Sequence, residues 1–224
     1  RLDLWTNGGG DVTVSGAFNG TTSESVGLYV HGDGGTTEIG ANITSNAAVV
    51  IADAVELNAS VTIDTSSGNA SVTLLGGAPA GASDGIYAAN GTTVDLTITA
   101  GTGTVSLGGD AANGTLAGFG DNSGNGSLIQ NVSVTAGTTL LYAQTNEVAG
   151  NFTVTGGTEL ANAGNVSYTL TAGNITLGTL DSLSGTTNGL SINATGDVSM
   201  GLIGGTTALA DLAVNRWQHP HSHR

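Results

Sequence analysis

Side chains able to carry acid–base or nucleophilic chemistry are few in this sequence. His31 is the only histidine in residues 1–215, so any nucleophilic triad there would depend on it. Residues 2–215 contain neither Lys nor Arg, so a cation to stabilise developing negative charge is also missing. The sequence therefore predicts a protein that is not an enzyme. His31, close to Asp33, is interpreted as a turn residue rather than half of a catalytic pair.

Carboxylates are the one catalytic group in good supply. The chain has 17 Asp and Glu residues against three cations, Arg1, Arg216 and Arg224, which gives a formal net charge of −14. Glycoside hydrolysis can be performed by two carboxyl groups alone. The acids are expected to be spread along the chain without forming a cluster, so a carboxylate-based glycoside hydrolase is only an alternative.

Two segments resemble metal sites. In Asp121-Asn122-Ser123-Gly124-Asn125-Gly126, the oxygens of Asp121, Ser123 and Asn125 alternate as in the first half of a calcium loop. Val132 stands where such a loop has a bidentate Glu, so a polar turn is the other interpretation. The alternate histidines His219, His221 and His223 have metal-ligand spacing, or belong to an added tag. No other cofactor is expected.

The pattern Asn-X-Ser/Thr, the acceptor for N-glycosylation, is unusually frequent. It begins at Asn19, Asn42, Asn58, Asn69, Asn90, Asn113, Asn125, Asn131, Asn151, Asn165, Asn174 and Asn193. One interpretation is a heavily glycosylated surface protein. The other is structural, because an Asn at a corner followed by an alternating strand produces the same pattern.

Composition excludes several classes of partner. Binding to nucleic acids, like binding to anionic membranes, requires Lys or Arg side chains to neutralise phosphate groups. Residues 2–215 have none, so neither kind of partner is expected. The chain has no Cys, and no run approaches the ~18 apolar residues of a membrane helix. No signal peptide is visible, so we expect a fragment or processed form whose export signal lies elsewhere, located outside the cell or on its surface.

Apolar residues alternate with Thr, Ser or Asp in short runs, which is the pattern of half-buried strands. These runs are bounded by Gly, Asn and Asp, which favour turns. They are Val12–Val14, Val61–Ile63, Val72–Leu74, Val94–Ile98, Val105–Leu107, Val132–Val134, Phe152–Val154 and Ile175–Leu177. This regularity favours an ordered all-β fold over disorder, the other interpretation of a chain with 38 Gly.

Internal repeats narrow the fold class. Thr-Ala-Gly steps begin at Thr99, Thr135 and Thr171, 36 residues apart both times. Half of that period fits one turn of a parallel β-helix, or β-solenoid, with coils of about 16–23 residues. Eleven to twelve such coils would form a rod of about 55 Å. A tandem of antiparallel β-sandwiches is the alternative fold.

Pairs of hydroxyl residues recur two apart, at Thr97/Thr99, Ser133/Thr135, Thr153/Thr155 and Thr169/Thr171. On stacked coils they predict an outward-facing ladder. Such a ladder resembles the binding surface of ice-binding solenoids, while ordinary β-branched strand filling is the simpler interpretation.

The patterns Gly173-Asn-Ile-Thr-Leu-Gly178 and Gly204-Gly-Thr-Thr-Ala-Leu-Ala-Asp-Leu-Ala-Val214 resemble filamentous-haemagglutinin-type exoproteins and autotransporter passengers. The resemblance implies a right-handed β-helix on a cell surface that serves adhesion or fibre formation, with glycans as partners. It supplies no catalytic residues.

These observations predict one β-solenoid domain over residues 1–215 and an irregular His/Arg tail over residues 216–224, either a tag or a terminal peg. The predicted function is a structural or adhesive segment of an extracellular β-helical protein. The alternative is the subunit of a filament or sheath that stacks end to end with copies of itself, in place of continuing into a longer parent chain.

Overall fold

The computed structural model describes residues 1–5, 9–32, 34–76, 85–108, 118–120 and 126–216, and they form an all-β structure with one short 3₁₀ turn at Ser66–Gly68. The strands are β1 (Leu2–Leu4), β2 (Val12–Val14), β3 (Phe18–Gly20), β4 (Val26–Val30), β5 (Thr36–Ile39), β6 (Ile43–Ser45), β7 (Ala48–Ile51), β8 (Ala54–Leu57), β9 (Val61–Asp64), β10 (Val72–Leu74), β11 (Ile86–Ala88), β12 (Asp95–Thr99), β13 (Thr104–Leu107), β14 (Asn131–Leu141), β15 (Thr145–Glu147), β16 (Phe152–Leu160), β17 (Ser167–Ala172), β18 (Ile175–Ser182), β19 (Gly189–Ala194), β20 (Val198–Met200) and β21 (Leu212–Arg216). Every predicted run falls on a strand, although Val94 lies just outside β12.

The strands stack in three rows. Row 1 contains β1, β4, β7, β10, β13 and the second halves of β14, β16 and β18. Row 2 contains β2, β5, β8 and β11, then β15, β17, β19 and β21, with Phe119 bridging the two groups. Row 3 contains β3, β6, β9, β12, the first halves of β14, β16 and β18, and β20. All pairs between these strands are parallel, an arrangement consistent with a β-solenoid and not with antiparallel sandwiches.

A coil is one turn of the chain, and its length is the number of residues between register partners on neighbouring strands of one row. Coil length varies more than the sequence repeats predict. Thr139 and Thr158 are partners 19 residues apart, whereas Thr99 and Thr135 are partners 36 apart. The 36-residue period is therefore one long coil here and not two, so the predicted 16–23 residues describe only the shorter coils. The third Thr-Ala-Gly sequence, which begins at Thr171, does not occupy the same place in the fold as the first two. Thr171 lies in row 2, where it pairs with Glu147.

The number of coils is correspondingly lower than predicted. Within the described residues row 1 has eight strands, followed by an isolated bridge between Leu180 and Ile203. At about 4.8 Å per coil, this stack is about 40 Å long rather than 55 Å.

Inward-facing residues of all three rows form one core. Val, Ile and Leu dominate it, as the alternation predicts, and Val134 and Ile98 are fully buried. The core also contains an aromatic contact between Phe119 and Phe152, whose ring centroids lie 5.8 Å apart, edge to face. Because each coil is too thin to bury its own inner face, neighbouring coils stabilise one another.

Glycines form a column at the corner where the chain passes from row 3 to row 1. Its members are Gly137, Gly156, Gly178 and Gly201. The Gly201 amide donates to the Gly178 carbonyl at 2.7 Å, so successive corners approach closely along the stack. A side chain at any of these positions would meet the backbone of the preceding coil. Glycine is therefore needed here for close approach.

The last strand extends to Arg216, the first residue of the predicted tail, and residues 217–224 lie outside the described part of the chain. In the described part, no helix has the length and apolar character required to cross a membrane.

Candidate functional surfaces

The outer surface of row 3 carries regularly spaced hydroxyl groups, which we call the hydroxyl face. Its first column is Thr62, Thr97, Ser133, Thr153, Thr176 and Ser199, and its second is Thr99, Thr135 and Thr155. Neighbours within a column lie about 4.8 Å apart, and the columns about 7 Å apart, as parallel strands dictate. The first column is uncharged, whereas the second continues from Thr99 to Asp64, which is a charged residue.

Three of the four predicted hydroxyl pairs are confirmed in register on this face. The fourth, Thr169/Thr171, was placed wrongly, because β17 belongs to row 2. Strands of all three rows have the same alternation of apolar and polar residues. The sequence pattern therefore does not show to which row a strand belongs.

Beside the hydroxyl face, where the chain enters row 3, polar residues form a second ladder, the corner column. It consists of Ser60, Asp95, Asn131, Asn151, Asn174 and Asp197. The Asn131 Nδ2 donates to Asp95 Oδ1 at 2.7 Å, and the Asn174 Nδ2 donates to Asn151 Oδ1 at 2.8 Å. Backbone amides also donate to the column: Asn151 N to Asn131 Oδ1 at 3.0 Å and Asp197 N to Asn174 Oδ1 at 2.6 Å.

The corner column gives three sequons a structural role. Three sequons begin in this column, at Asn131, Asn151 and Asn174. In each, the Asn lies at the corner, the next residue points into the core, and the Ser or Thr belongs to the hydroxyl face. The amide nitrogens of Asn131 and Asn174, which glycosylation would modify, are already hydrogen-bond donors. The structural interpretation therefore explains part of the pattern.

The other sequons lie in varied places. Asn19, Asn42, Asn58, Asn69, Asn90 and Asn165 are exposed, and Asn193 is half-buried. Asn42, Asn69 and Asn165 accept hydrogen bonds from backbone amides of the following coil, and Asn193 accepts one from Asn215 Nδ2. Asn113 and Asn125 lie outside the described residues, and glycosylation of any sequon stays a prediction.

Replacing Asn174 with alanine should destabilise the fold. The change removes the donor to Asn151 and the acceptor for the Asp197 amide, and each hydrogen bond contributes about 1 kcal/mol. We expect the free energy of unfolding to fall by about 1–2 kcal/mol in urea titrations. Asn90→Ala, at an exposed loop position, is the matched control and should have little effect; equal losses in both variants would contradict a ladder role.

Two carboxylate pairs contradict the expectation that acids do not cluster. Glu38 faces Glu56 across neighbouring strands of row 2, and Glu159 faces Asp181 in row 1. Burial, followed by the charge of Asp181, raises the pKa of Glu159. Burial, with the charges of Glu38 and Asp11, raises the pKa of Glu56. The pairs were missed because their members come from different coils, and coil length cannot be predicted from the alternation.

The Glu159–Asp181 pair borders an open groove of about 330 Å³. Thr138, Thr179 and Ser184 contribute to its lining. The Asp181 Oδ1 accepts the amides of Thr206 and Thr207 at 2.8 and 3.1 Å, which fixes this carboxylate. A carboxyl of raised pKa beside a hydrogen-bonded carboxylate is a feature shared with glycoside hydrolases.

Glu159 should make stability depend on pH. Its folded-state pKa lies above the unfolded value, so its stabilising contribution is complete below the unfolded pKa and is lost as pH rises through the folded pKa. Glu159→Gln should therefore raise the melting temperature at pH 7 slightly, by the equivalent of at most about 0.5 kcal/mol. Melting curves between pH 4 and pH 8 should converge toward the acidic end; a variant less stable at pH 7 would contradict this account.

His31 belongs to an aromatic cluster on row 1. Its ring stacks on Trp5, with centroids 3.3 Å apart, and lies 4.1 Å from the Tyr29 ring. The His31 Nε2 is 3.6 Å from Asp3 Oδ1. Asp3 is bound mainly by Arg1, whose hydrogen bond lowers the pKa of that carboxyl. His31 is thus packed by neighbours of the preceding coil, and its pairing with Asp33 lies outside the described residues.

The predicted calcium ligands Asp121, Ser123 and Asn125 and the histidines His219, His221 and His223 also lie outside the described residues. Within those that are described, no group of three or more His, Cys, Asp or Glu side chains could hold a metal ion. Comparison with protein-family models, curated proteins and solved structures found no match.

Proposed function

We propose that this chain is a structural and adhesive segment of an extracellular, right-handed β-solenoid. The observation that carries the proposal is repetition: the glycine column, the corner column and the hydroxyl face each run through several consecutive coils. A fold whose polar surface is repeated in this way provides length and a regular surface. Among the described residues, the most enzyme-like feature is the open groove beside Glu159 and Asp181.

The resemblance to known exoproteins supports a location outside the cell, whereas the charge of the chain concerns its solubility. The net charge of −14 keeps a long, otherwise uncharged surface soluble. The resemblance to filamentous-haemagglutinin-type exoproteins favours the same location. Exposed sequons and hydroxyl groups would face cell-surface glycans, which are the partners we propose.

The localisation is tested with an antibody against this chain on intact and permeabilised source cells. Labelling of intact cells, removed by brief external protease treatment, is the expected result. Labelling only after permeabilisation would overturn the proposal. Binding of the purified chain to a glycan array then tests adhesion, and an array without signal would leave only a structural role.

The hydroxyl face favours a second candidate function, the ordering of water at an ice surface. Its three consecutive Thr/Ser-X-Thr strands, β12, β14 and β16, form a regular lattice of hydroxyl and methyl groups that is bordered by Asp64 and Asp95. Both columns stand on one sheet, which fixes their spacing.

Thermal hysteresis tests this second function. If it is correct, the chain should separate the freezing and melting temperatures, and Thr135→Lys should abolish the gap by placing a charge on the face. Thr169→Lys, on row 2, is the control and should preserve it. No hysteresis at millimolar concentration removes this candidate without affecting the structural one.

A further inference from the structure

The groove on the outer side of row 1 has a gap in its floor between two hydroxyl groups. Thr138, Gly157 and Thr179 are register partners on β14, β16 and β18, and all three line the groove. They form one outward-facing column along the stack, and its middle member has no side chain. Glycine therefore leaves the floor of the groove open at this point.

The two hydroxyl groups converge on the space above Gly157. A Cβ atom at that position would lie 3.4 Å from Thr179 Oγ1 and 3.7 Å from Thr138 Oγ1. The two threonines stand on strands about 9.6 Å apart, so their side chains lean toward each other over the glycine. Neither hydroxyl has a hydrogen-bond partner among the described residues, so both can pair with a ligand.

The backbone does not require a glycine at position 157. The φ angle of Gly157 is not positive, and a Cβ there would approach no atom closer than 3.4 Å. The glycine column differs, because a Cβ at those positions would collide with the backbone of the preceding coil. The open floor is thus a property of the surface and not a condition of the fold.

The carboxyl groups of Glu159 and Asp181 border the other end of the groove. They lie two residues beyond Gly157 and Thr179 on the same strands, about 6.6 Å further along. Two backbone amides of the next coil donate to Asp181 Oδ1, while Oδ2 accepts no hydrogen bond from the described part of the chain. The groove thus has converging hydroxyl groups at one end and a fixed acceptor at the other.

The lining groups decide which ligand the groove can hold. Among the described residues that line it there is no Lys, Arg or His, so an anion would be repelled. Nor is there an aromatic or large aliphatic side chain, so an apolar molecule would leave polar groups unpaired. A metal ion needs several ligands around one point, and the described residues provide no group of three. A ligand that reaches both ends must carry several uncharged polar groups spread over about 6.6 Å.

We propose that this groove binds one neutral sugar residue of a glycan. Hydroxyl groups of the sugar would donate to the carboxylates of Asp181 and Glu159 and pair with the hydroxyl groups of Thr138 and Thr179. This inference rests on the proposed adhesive function and assigns a site to it. The groove has a volume of about 330 Å³, at the lower end of the range for small-molecule sites. It opens on the side of the stack, so the rest of the glycan can continue into solvent.

The experiment titrates the complete chain with methyl glycosides of neutral hexoses, deoxyhexoses and N-acetylhexosamines, up to tens of millimolar. Two-dimensional NMR spectra of the backbone amides report binding. An open polar groove and a ligand of about twelve non-hydrogen atoms predict a Kd of about 1 mM. We expect saturable shifts at residues 157–159 and 179–181 with at least one glycoside. Because the ligand is neutral, added sodium chloride should change its Kd little.

Two substitutions locate the site. Gly157→Ala fills the floor and should raise the Kd about tenfold or more, without lowering the melting temperature, because alanine suits a strand better than glycine. Gly16→Ala adds the same methyl group where it has no neighbour within 4 Å, so it should leave the Kd unchanged. Thr179→Val removes one hydroxyl group at nearly constant shape and should raise the Kd about fivefold. Thr169→Val, on row 2, is its control.

Three results would overturn the proposal. One is the absence of saturable shifts with every glycoside, and another is binding that neither Gly157→Ala nor Thr179→Val weakens. The third is a shift of the same amides by calcium chloride or an alkylammonium salt in place of the glycosides, which would make this a cation site. Labelling of intact cells is independent of these outcomes. A glycan-array signal that survives both substitutions would preserve adhesion and place it on another surface, so the two failures can be told apart.

Discussion

Gly178→Ala should destabilise the fold by about 3 kcal/mol or more, although it adds one methyl group. The Cβ of residue 178 would overlap the carbonyl oxygen of Gly156 in the preceding coil. That carbonyl is backbone and cannot rotate away as a flexible side chain would. The strain can be relieved only by separating the coils, which disrupts the hydrogen bond from the Gly201 amide to the Gly178 carbonyl as well.

Gly16→Ala is the matched control for this prediction. Its added Cβ would have no neighbour within 4 Å, so the variant should differ from wild type by at most about 0.5 kcal/mol. Urea titrations of both variants give the comparison. Equal stability of the two would show that the corner relaxes freely, and the column would then have no structural role.

The glycine column also shows why the sequence repeats predicted the coil length incorrectly. Gly101 and Gly137, which end the first two Thr-Ala-Gly steps, follow strands of row 3. Gly173, which ends the third, follows β17 of row 2 and leads into row 3. The repeated step therefore marks a corner between strands and not one particular corner. Its spacing measures a coil only where both steps lie at the same corner, as those of Thr99 and Thr135 do.

Strands were predictable because their physics is local. Alternation in Val132-Ser133-Val134 is sufficient to give β14 an inward and an outward face. Contacts between coils were not predictable in the same way. Glu159 and Asp181 are partners 22 residues apart, and that distance depends on corner lengths for which the sequence has no simple pattern.

The corner column is an intermediate case. The sequence indicated that a corner Asn followed by an alternating strand could produce the sequons, and Asn151 and Asn174 behave in this way. Sequence could not show that their amides bond to each other, because that bond joins two coils.

Phe152→Ala should produce the second large effect, a loss of about 3–5 kcal/mol. Phe152 is fully buried in β16, the sixth of the eight described strands of row 3, and its ring packs edge to face with the Phe119 ring. Its removal leaves a cavity between two coils that are held by parallel strands on either side, so the surrounding backbone has little freedom to collapse. Phe18→Ala, at the open amino-terminal end, removes the same atoms from a half-buried position and should cost roughly half as much.

The shape of the unfolding transition distinguishes two forms of cooperativity in this stack. If neighbouring coils are strongly coupled, Phe152→Ala lowers the midpoint of a single transition in urea and leaves its slope unchanged. If coupling is weak, the stack divides at β16 and two transitions appear, since repeat folds lose stability unit by unit. A single shifted transition supports a rod that resists bending along its length, which a structural segment requires. Two transitions would place a flexible point at β16 and contradict that role.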